Sequence, residues 1–360
     1  MKIYLLIILL VSLSGCGVSR KVHTEDIEIK FLDEYVLKPT EVQFEETKIG
    51  GLSGIDYFQG NYYLVCDDSS LPRIYKLQID IFNNKIDIIR FSEVLKIEKT
   101  THRVLDLEGI RVLENGNFIV SSEGLISNQN DPGIYIISTE GKIENQFKIP
   151  AHFTAEGKQH PRNNGVFEGL SKSADGLGYW VATETVLEKD GSKSKVFPTK
   201  TPVRITKYDL EGNAVKEFAY NLDGIAKLPI NYFAVNGAVE IIEYEPDQFL
   251  IMERSYSAGY GSHGNTIKIF SVNAENATNI LNLEQLKGEK YRFAEKQLRF
   301  NFKKVKKQLT NKIIDNIEGM TLGPKLENGQ QSLILVSDNN FNSFVKQLNQ
   351  FILLQIKFKK

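Results

Sequence analysis

The stretch "IEGMTLGPKLENGQQSLILVSDNN" (Ile317–Asn340) sets the pattern for the whole chain. Glu318 stands directly before Gly319, and an apolar run follows. Glu327-Asn328-Gly329 then interrupts, and a second apolar run, Leu333–Val336, ends near Asp338. Asn-Gly between two apolar runs is a hairpin signal, because tight β-turns need the positive φ that these residues adopt readily. Four more stretches share the plan: "GGLSGIDYFQGNYYLVCDDS" (Gly50–Ser69), "LEGIRVLENGNFIVSSEG" (Leu107–Gly124), "FEGLSKSADGLGYWVATET" (Phe167–Thr185) and "VNGAVEIIEYEPDQFLIMERS" (Val235–Ser255). Each reads as glycine, strand, polar turn, second strand and acidic residue.

Further strand-like runs follow each hairpin, among them "RIYKLQID" (Arg73–Asp80), "RITKYDLEGNAVKEFAY" (Arg204–Tyr220) and "FILLQIKF" (Phe351–Phe358). Four antiparallel strands recurring about every 55 to 80 residues predict an all-β fold, a single β-propeller of four-stranded blades. Five blades are visible. A sixth has room in the longest interval, Asn273–Asn316, although "LEQLKGEKYRFAEKQLRFNFKKVKKQL" (Leu283–Leu309) there reads more as a basic helical or loop insertion. The last unit runs out of chain after three strands. "IEIKFLDEYVL" (Ile27–Leu37) is a spare strand ahead of the first unit. Pairing it as the outer strand of the last blade closes the ring and removes an exposed edge.

The chain has 360 residues, 41% hydrophobic and 25% charged, an ordinary globular composition. Its 15 Tyr and 21 Phe lean towards β-structure. A net charge of -1 gives no electrostatic case for nucleic acid as a partner. The first residues, "MKIYLLIILLVSLSGCG", show Lys2, an apolar run and then small residues. That is the plan of a signal peptide, and the run is too short for a comfortable membrane span. Leu13-Ser14-Gly15-Cys16 resembles a bacterial lipobox. The expectation is a lipoprotein signal peptide over 1–15, lipid on Cys16, a polar tether over 16–26 and one propeller domain over 27–360, held at the bacterial cell envelope. The second cysteine, Cys66, then has no partner and reads as a buried structural thiol.

In a propeller blade the first strand lines the central channel and the second runs back beside it. The start of one and the end of the other share one end of the channel. Glu108 therefore meets Glu123, Glu168 meets Glu184, and Glu318 meets Asp338, with Glu253 and Asp67 closing the other two hairpins. Eight carboxylates so gathered repel one another and raise each other's pKa. A hard cation offsets them well, since Ca²⁺ takes six to eight oxygens. The candidate metal ligands are Glu108, Glu123, Glu168, Glu184, Glu253, Glu318 and Asp338. Arginines are the other offset, with Arg103, Arg111, Arg162 and Arg254 as candidates. The glycines of the motif answer to close packing of strands at the axis. His102 and His160 fall on loops leading to the same mouth. No Walker loop, zinc motif or Gly-x-Ser-x-Gly elbow is present.

"NIEGMTLGP" with "LILVSDNNF" (Leu333–Phe341), "NNGVFEGLS" (Asn163–Ser171), "DLEGI" (Asp106–Ile110) and "IMERSYSAGYGSHGNTIKIF" (Ile251–Phe270) resemble the phytase-like domain family, also described as esterase-like activity of phytase. The resemblance runs from about Gly50 to Phe358. It implies a secreted or lipid-anchored bacterial protein with phosphate-ester or phosphodiester chemistry, and carries Glu108, Glu168, Glu318, Glu253, Arg254, Asp338 and Asn339 over as site residues. Ser53-Gly54 and Asn236-Gly237 replace Glu-Gly in the first and fourth units, which leaves the acidic ring incomplete. Two functional readings follow. One is a metal-assisted hydrolase of small phosphorylated substrates, with Glu108, Glu168, Glu318, Arg254 and Arg162 as catalytic candidates. The other is a non-catalytic propeller that grips a ligand or partner. A monomer is expected in either case.

Overall fold

Alternating apolar runs and Gly/Asn turns produce what period-2 strands demand, a succession of antiparallel hairpins. The computed structural model describes residues 27–98, 104–157, 161–342 and 346–358. β1 (Ile27–Val36) is followed by a two-stranded ribbon, β2 (Gln43–Phe44) and β3 (Thr47–Lys48). Blade 1 contains β4 (Leu52–Phe58), β5 (Asn61–Cys66), β6 (Arg73–Phe82) and β7 (Lys85–Lys96). Blade 2 contains β8 (Leu107–Val112), β9 (Phe118–Ser122), β10 (Gly133–Ile137) and β11 (Ile143–Gln146). Blade 3 contains β12 (Phe167–Lys172), β13 (Tyr179–Thr183), β14 (Pro202–Tyr208) and β15 (Ala214–Asn221). Blade 4 contains β16 (Ala234–Glu245), β17 (Gln248–Ser257), β18 (Asn265–Asn273) and β19 (Glu295–Asn301). In blade 5, β20 (Asn316–Lys325), β21 (Gln331–Asp338) and β22 (Gln350–Phe358) are completed by β1. The fold is a five-bladed β-propeller.

Ring closure by the N-terminal strand is observed. β1 pairs antiparallel with β22 from Ile27↔Phe358 to Val36↔Gln350. Ile27 and Ile29 insert between blades 4 and 5, against Leu354 and Ile356. Five apolar clusters fill the five gaps between neighbouring blades. Each blade is thus buried on both faces, so inner strands such as Leu333–Val336 read as continuous apolar runs rather than alternating ones.

The interval 273–316 holds no sixth blade. It supplies β19, the outer strand of blade 4, and three short 3₁₀ turns over 302–312. No α-helix occurs in it. Residues 274–294 leave blade 4 and cross to the open edge of blade 3. There the Ile280 amide donates to the Glu217 carbonyl (2.9 Å) and the Ala294 amide to the Ala219 carbonyl (3.0 Å). Ile280 and Leu286 pack on Ala219. The excursion covers an edge strand that would otherwise present unpaired backbone groups.

Cys66 is a free, buried thiol whose Sγ donates to the Gly50 carbonyl (3.1 Å). Burial pushes it up to about 12, which keeps it protonated and unreactive. The signal-peptide and tether residues, with Cys16, lie outside the described residues.

Candidate functional site

Every blade has a register irregularity between its first two strands, and its position builds the site. In blades 1, 2, 3 and 5 it falls at Ser53, Glu108-Gly109, Glu168-Gly169 and Glu318. A bulge bends the strand and re-aims the side chain it carries. Here it turns Glu108, Glu168 and Glu318 out of the blade and into the channel mouth. The glycines that follow answer to close packing. An added Cβ would lie 2.4 Å from the Glu108 carbonyl at Gly54, 2.9 Å from the Glu168 carbonyl at Gly109 and 2.7 Å from Glu240 Cα at Gly169. Each first strand lies against the backbone of the next blade, where no side chain fits.

The returning strands end beside these bulges with Asp67, Glu123, Glu184 and Asp338. A cavity of about 630 Å³ is lined by Asp67, Asp106, Glu108, Glu168, Glu184, Glu318 and Asp338 together with Arg254. Two groups of carboxylates have oxygens within 4.8 Å of one another: Asp106, Glu108 and Glu123; and Glu123, Glu168 and Glu184. Glu123 belongs to both. Its Oε1 accepts from the Gly165 amide and from the Val166 amide (2.9 Å), which ties the end of blade 2 to the start of blade 3.

Burial and mutual repulsion shift Asp67, Asp106, Glu108, Glu123, Glu168, Glu318 and Asp338 in one direction. Burial is the largest cause for each, and neighbouring carboxylates add to it. Glu108 and Glu168 are held well above the usual carboxylate range, Glu108 by burial and then Glu123, Glu168 by burial and then Glu108. Burial and Glu184 push Glu123 up to about 8. Asp338 is raised by burial and Glu318. Asp67 and Asp106 rise to about 6, by burial and then Asp68 and Asp67 respectively. Burial raises Glu318 to about 7 although Arg254 pulls the other way.

Blade 4 departs from this plan. Its bulge falls at Val239, between Ala238↔Glu253 and Glu240↔Met252, two residues beyond Gly237. Gly237 pairs with Arg254, as Asn316 pairs with Asp338 in blade 5. Arg254 therefore stands where the other four blades place an acid, and Glu253 is turned away. Glu253 Oε1 accepts from Tyr220 Oη (2.6 Å) and Lys296 Nζ (2.7 Å); Oε2 accepts from Asn236 Nδ2 (2.7 Å) and the Asp223 amide (3.0 Å). Its acceptors are engaged between blades 3 and 4, so the placement of Glu253 among the metal ligands is corrected. Arg254 Nη2 bridges Glu184 Oε1 (3.1 Å) and Glu318 Oε1 (3.0 Å). Burial alone would lower its pKa, but Glu318 and Glu184 outweigh that and hold the guanidinium charged.

Below the mouth one ion pair spans the axis. Arg111 Nη2 lies 3.2 Å from Glu240 Oε1. Arg111 also donates to the carbonyls of Ile55 (2.9 Å) in blade 1 and Ile241 (3.2 Å) in blade 4, and Glu240 accepts from the Leu170 amide (3.0 Å) in blade 3. Arg111 thus acts as a tie between blades and does not offset the mouth.

Other candidates are placed elsewhere. Arg162 donates to the Val186 carbonyl (2.9 Å) and lines a separate cavity, so it does not reach the carboxylates. Asn339 Oδ1 accepts from the Gly51 and Phe341 amides (both 3.1 Å) and latches blade 5 to blade 1. His102, Arg103 and His160 lie outside the described residues. Asp106, absent from the sequence-derived set of candidates, joins the mouth. Its signal was the residue two before Glu108, at the same phase as Asn316 before Glu318.

Comparison with known proteins gives one family and several distant folds. The family model described as phytase-like, esterase-like activity of phytase, matches residues 47–341. No curated protein sequence gives a significant match. Among solved structures, the endo-arabinase of Bacteroides thetaiotaomicron is similar over 85% of this chain and 94% of its own, with 10% identity and a TM-score of 0.44. A member of the DUF4221 family from Bacteroides vulgatus covers 93% and 100%, with 11% identity and a TM-score of 0.39. The hydrazine synthase of Kuenenia stuttgartiensis covers 79% of this chain, which spans only 64% of that one, with 11% identity and a TM-score of 0.37. These likenesses carry no argument about activity.

Proposed function

Since the chain belongs to the phytase-like family, matched over residues 47–341, we propose that its carboxylate mouth is a cation-dependent hydrolytic site for phosphate esters or phosphodiesters. The observation that carries the reading is the pair of three-carboxylate groups sharing Glu123, with Arg254 in the same cavity.

The donor set fits a hard divalent cation such as Ca²⁺. It is all oxygen, formally charged, and has neither sulfur nor imidazole. Its raised pKa values are those of acids crowded together without enough positive charge between them. Asp106, Glu108, Glu123, Glu168 and Glu184 would hold the ion, with Glu318 and Asp338 on the same wall. When bound, a cation there supplies charge that polarises a phosphoryl oxygen and acidifies a water. The chain's own groups do the rest. Arg254 presents a guanidinium, the natural partner of a phosphate, to a cavity otherwise lined by acids. Glu184 and Glu318 orient it from two sides. Arg111 and Glu240 keep the blades in register beneath.

The same proposal places the protein at the cell envelope through lipid on Cys16. β1 begins beside Phe358, at the end of blade 5 opposite Asn316 and Asp338. Ile27 therefore lies at the face opposite the mouth.

The test is metal content of the purified protein, with phosphatase and phosphodiesterase panels run with and without calcium. Calcium-dependent turnover of at least one ester, lost in Glu168→Gln, is expected. Calcium bound with no turnover on any ester would favour the binding-propeller reading instead.

A further inference from the structure

Beside the acidic mouth lies a second cavity of about 820 Å³, lined by residues that the hydrolytic reading does not use. One is the loop between β13 and β14. The other is the 274–294 excursion from blade 4, held to that loop where the Leu286 amide donates to Asp190 Oδ1 (2.9 Å). Lys193 lines both cavities, so the two adjoin.

The charge of this cavity is opposite to that of the mouth. Asp190 is spent on Arg204, which reaches it through Nε (2.6 Å) and Nη2 (2.9 Å). Glu188 faces Arg162 at 3.5 Å. That leaves Lys193, Lys200, Lys287 and Lys290 against Glu289, and none of these lysines forms an ion pair among the described residues. Lysines on a convex surface diverge into solvent. Here four exposed lysines line one concavity, where their like charges raise the local potential and attract an anion. One wall is aromatic: the rings of Tyr291 and Phe293 are 5.0 Å apart and edge-on, and both line the cavity. An anionic group attached to an apolar or ring-bearing part matches both surfaces.

We propose that this cavity is an anion subsite that takes a second negatively charged group, phosphate or carboxylate, of the molecule whose ester lies at the carboxylate mouth. The anion binding stands on the lysine cavity alone; the link to an ester rests on the hydrolytic reading. The site would select dianionic over monoanionic esters, and it would do so through KM, because its lysines do not touch the reacting bond.

Two measurements separate the parts. In the first, the full chain without metal is titrated calorimetrically with inorganic pyrophosphate. Binding that weakens with added salt, and by about tenfold or more in Lys200→Glu/Lys290→Glu, is expected. Both lysines are exposed, and the neutral pair Lys200→Ala/Lys290→Ala, expected to show a smaller loss, keeps the test open should charge reversal disturb folding. Pyrophosphate that fails to bind, or binds the reversed variant as tightly as the wild type, overturns the subsite. In the second, KM for fructose 1,6-bisphosphate is compared with KM for fructose 6-phosphate with calcium present. A lower KM for the bisphosphate, lost in the variant at unchanged kcat, supports the subsite; equal values overturn its link to the ester and leave the hydrolytic reading standing. Lysine-dependent pyrophosphate binding with no turnover of any ester on the phosphatase and phosphodiesterase panels supports the anion site and sinks the hydrolytic reading.

Discussion

Gly237→Ala perturbs the mouth while leaving the fold almost alone. Gly237 has no left-handed φ, so alanine is allowed by the backbone. Its Cβ would lie 2.4 Å from Glu184 Cγ and 2.5 Å from Oε1. Carbon atoms pack at about 3.5–4.0 Å, so Glu184 must withdraw by roughly 1 Å. That carboxylate belongs to the group with Glu123 and Glu168 and accepts from Arg254. Displacing one of three acidic ligands should weaken calcium binding about tenfold, the low end of what loss of supporting groups costs metal sites. At calcium a hundredfold above Kd, binding stabilises the wild type by about 2.7 kcal/mol; after tenfold weakening the figure is about 1.4. The difference, about 1.3 kcal/mol, corresponds to a calcium-induced rise in Tm smaller by about 2–5 °C. Without calcium the variant should melt within about 1 kcal/mol of the wild type, since glycine replacement also restricts the unfolded chain. Thermal melts of wild type, Gly237→Ala and Glu184→Gln, with calcium or chelator, measure both quantities. If Gly237→Ala keeps the full calcium-induced rise, Glu184 does not hold the ion and the assignment of the mouth is wrong.

Three further outcomes are expected. Glu123 at about 8, Glu318 at about 7, and Asp67 and Asp106 at about 6 are all raised in the folded state. Their contribution to stability is complete below the ordinary carboxylate range and is lost as pH rises through about 6 to 8. Metal-free melts should therefore fall across that window while the gain from calcium grows; a metal-free Tm that climbs from about pH 5 to 8 contradicts the crowding. Deleting residues 27–36 removes the pairing of β1 with β22 and the buried Ile27 and Ile29. The two isoleucines alone contribute about 3–6 kcal/mol, out of the ~5–15 typical of a domain. A deletion that melts like the full chain would show that β1 is dispensable for closure. Cys16→Ser should move the protein from the membrane to the soluble fraction, and unchanged membrane association in that variant would remove the lipoprotein reading.

The propeller of four-stranded blades, the ring closure and the gathering of Glu108, Glu168, Glu318 and Asp338 were legible in the sequence; the choice of five blades over six was not, because only the structure shows that residues 273–316 build β19 and an excursion. A two-stranded hairpin brings its two ends together whatever surrounds it, so a repeated acid at fixed phase predicts a shared mouth. What the sequence left open was decided by register and by contacts between distant segments. The bulge at Val239 slips the start of β16 against the Gly-based alignment, and because side chains alternate along a strand, that slip exchanges Glu253 for Arg254 at the mouth. No local pattern marks where a bulge falls; packing against blade 3 and the pairing of Glu240 with Arg111 settle it. The lysine cavity depends on the Leu286 amide meeting Asp190, 96 residues away, after the chain has crossed from one blade to another. Local chemistry is written in the order of residues. Which charges end up facing each other depends on how the strands slide and where the loops cross, and those are set by the tertiary fold.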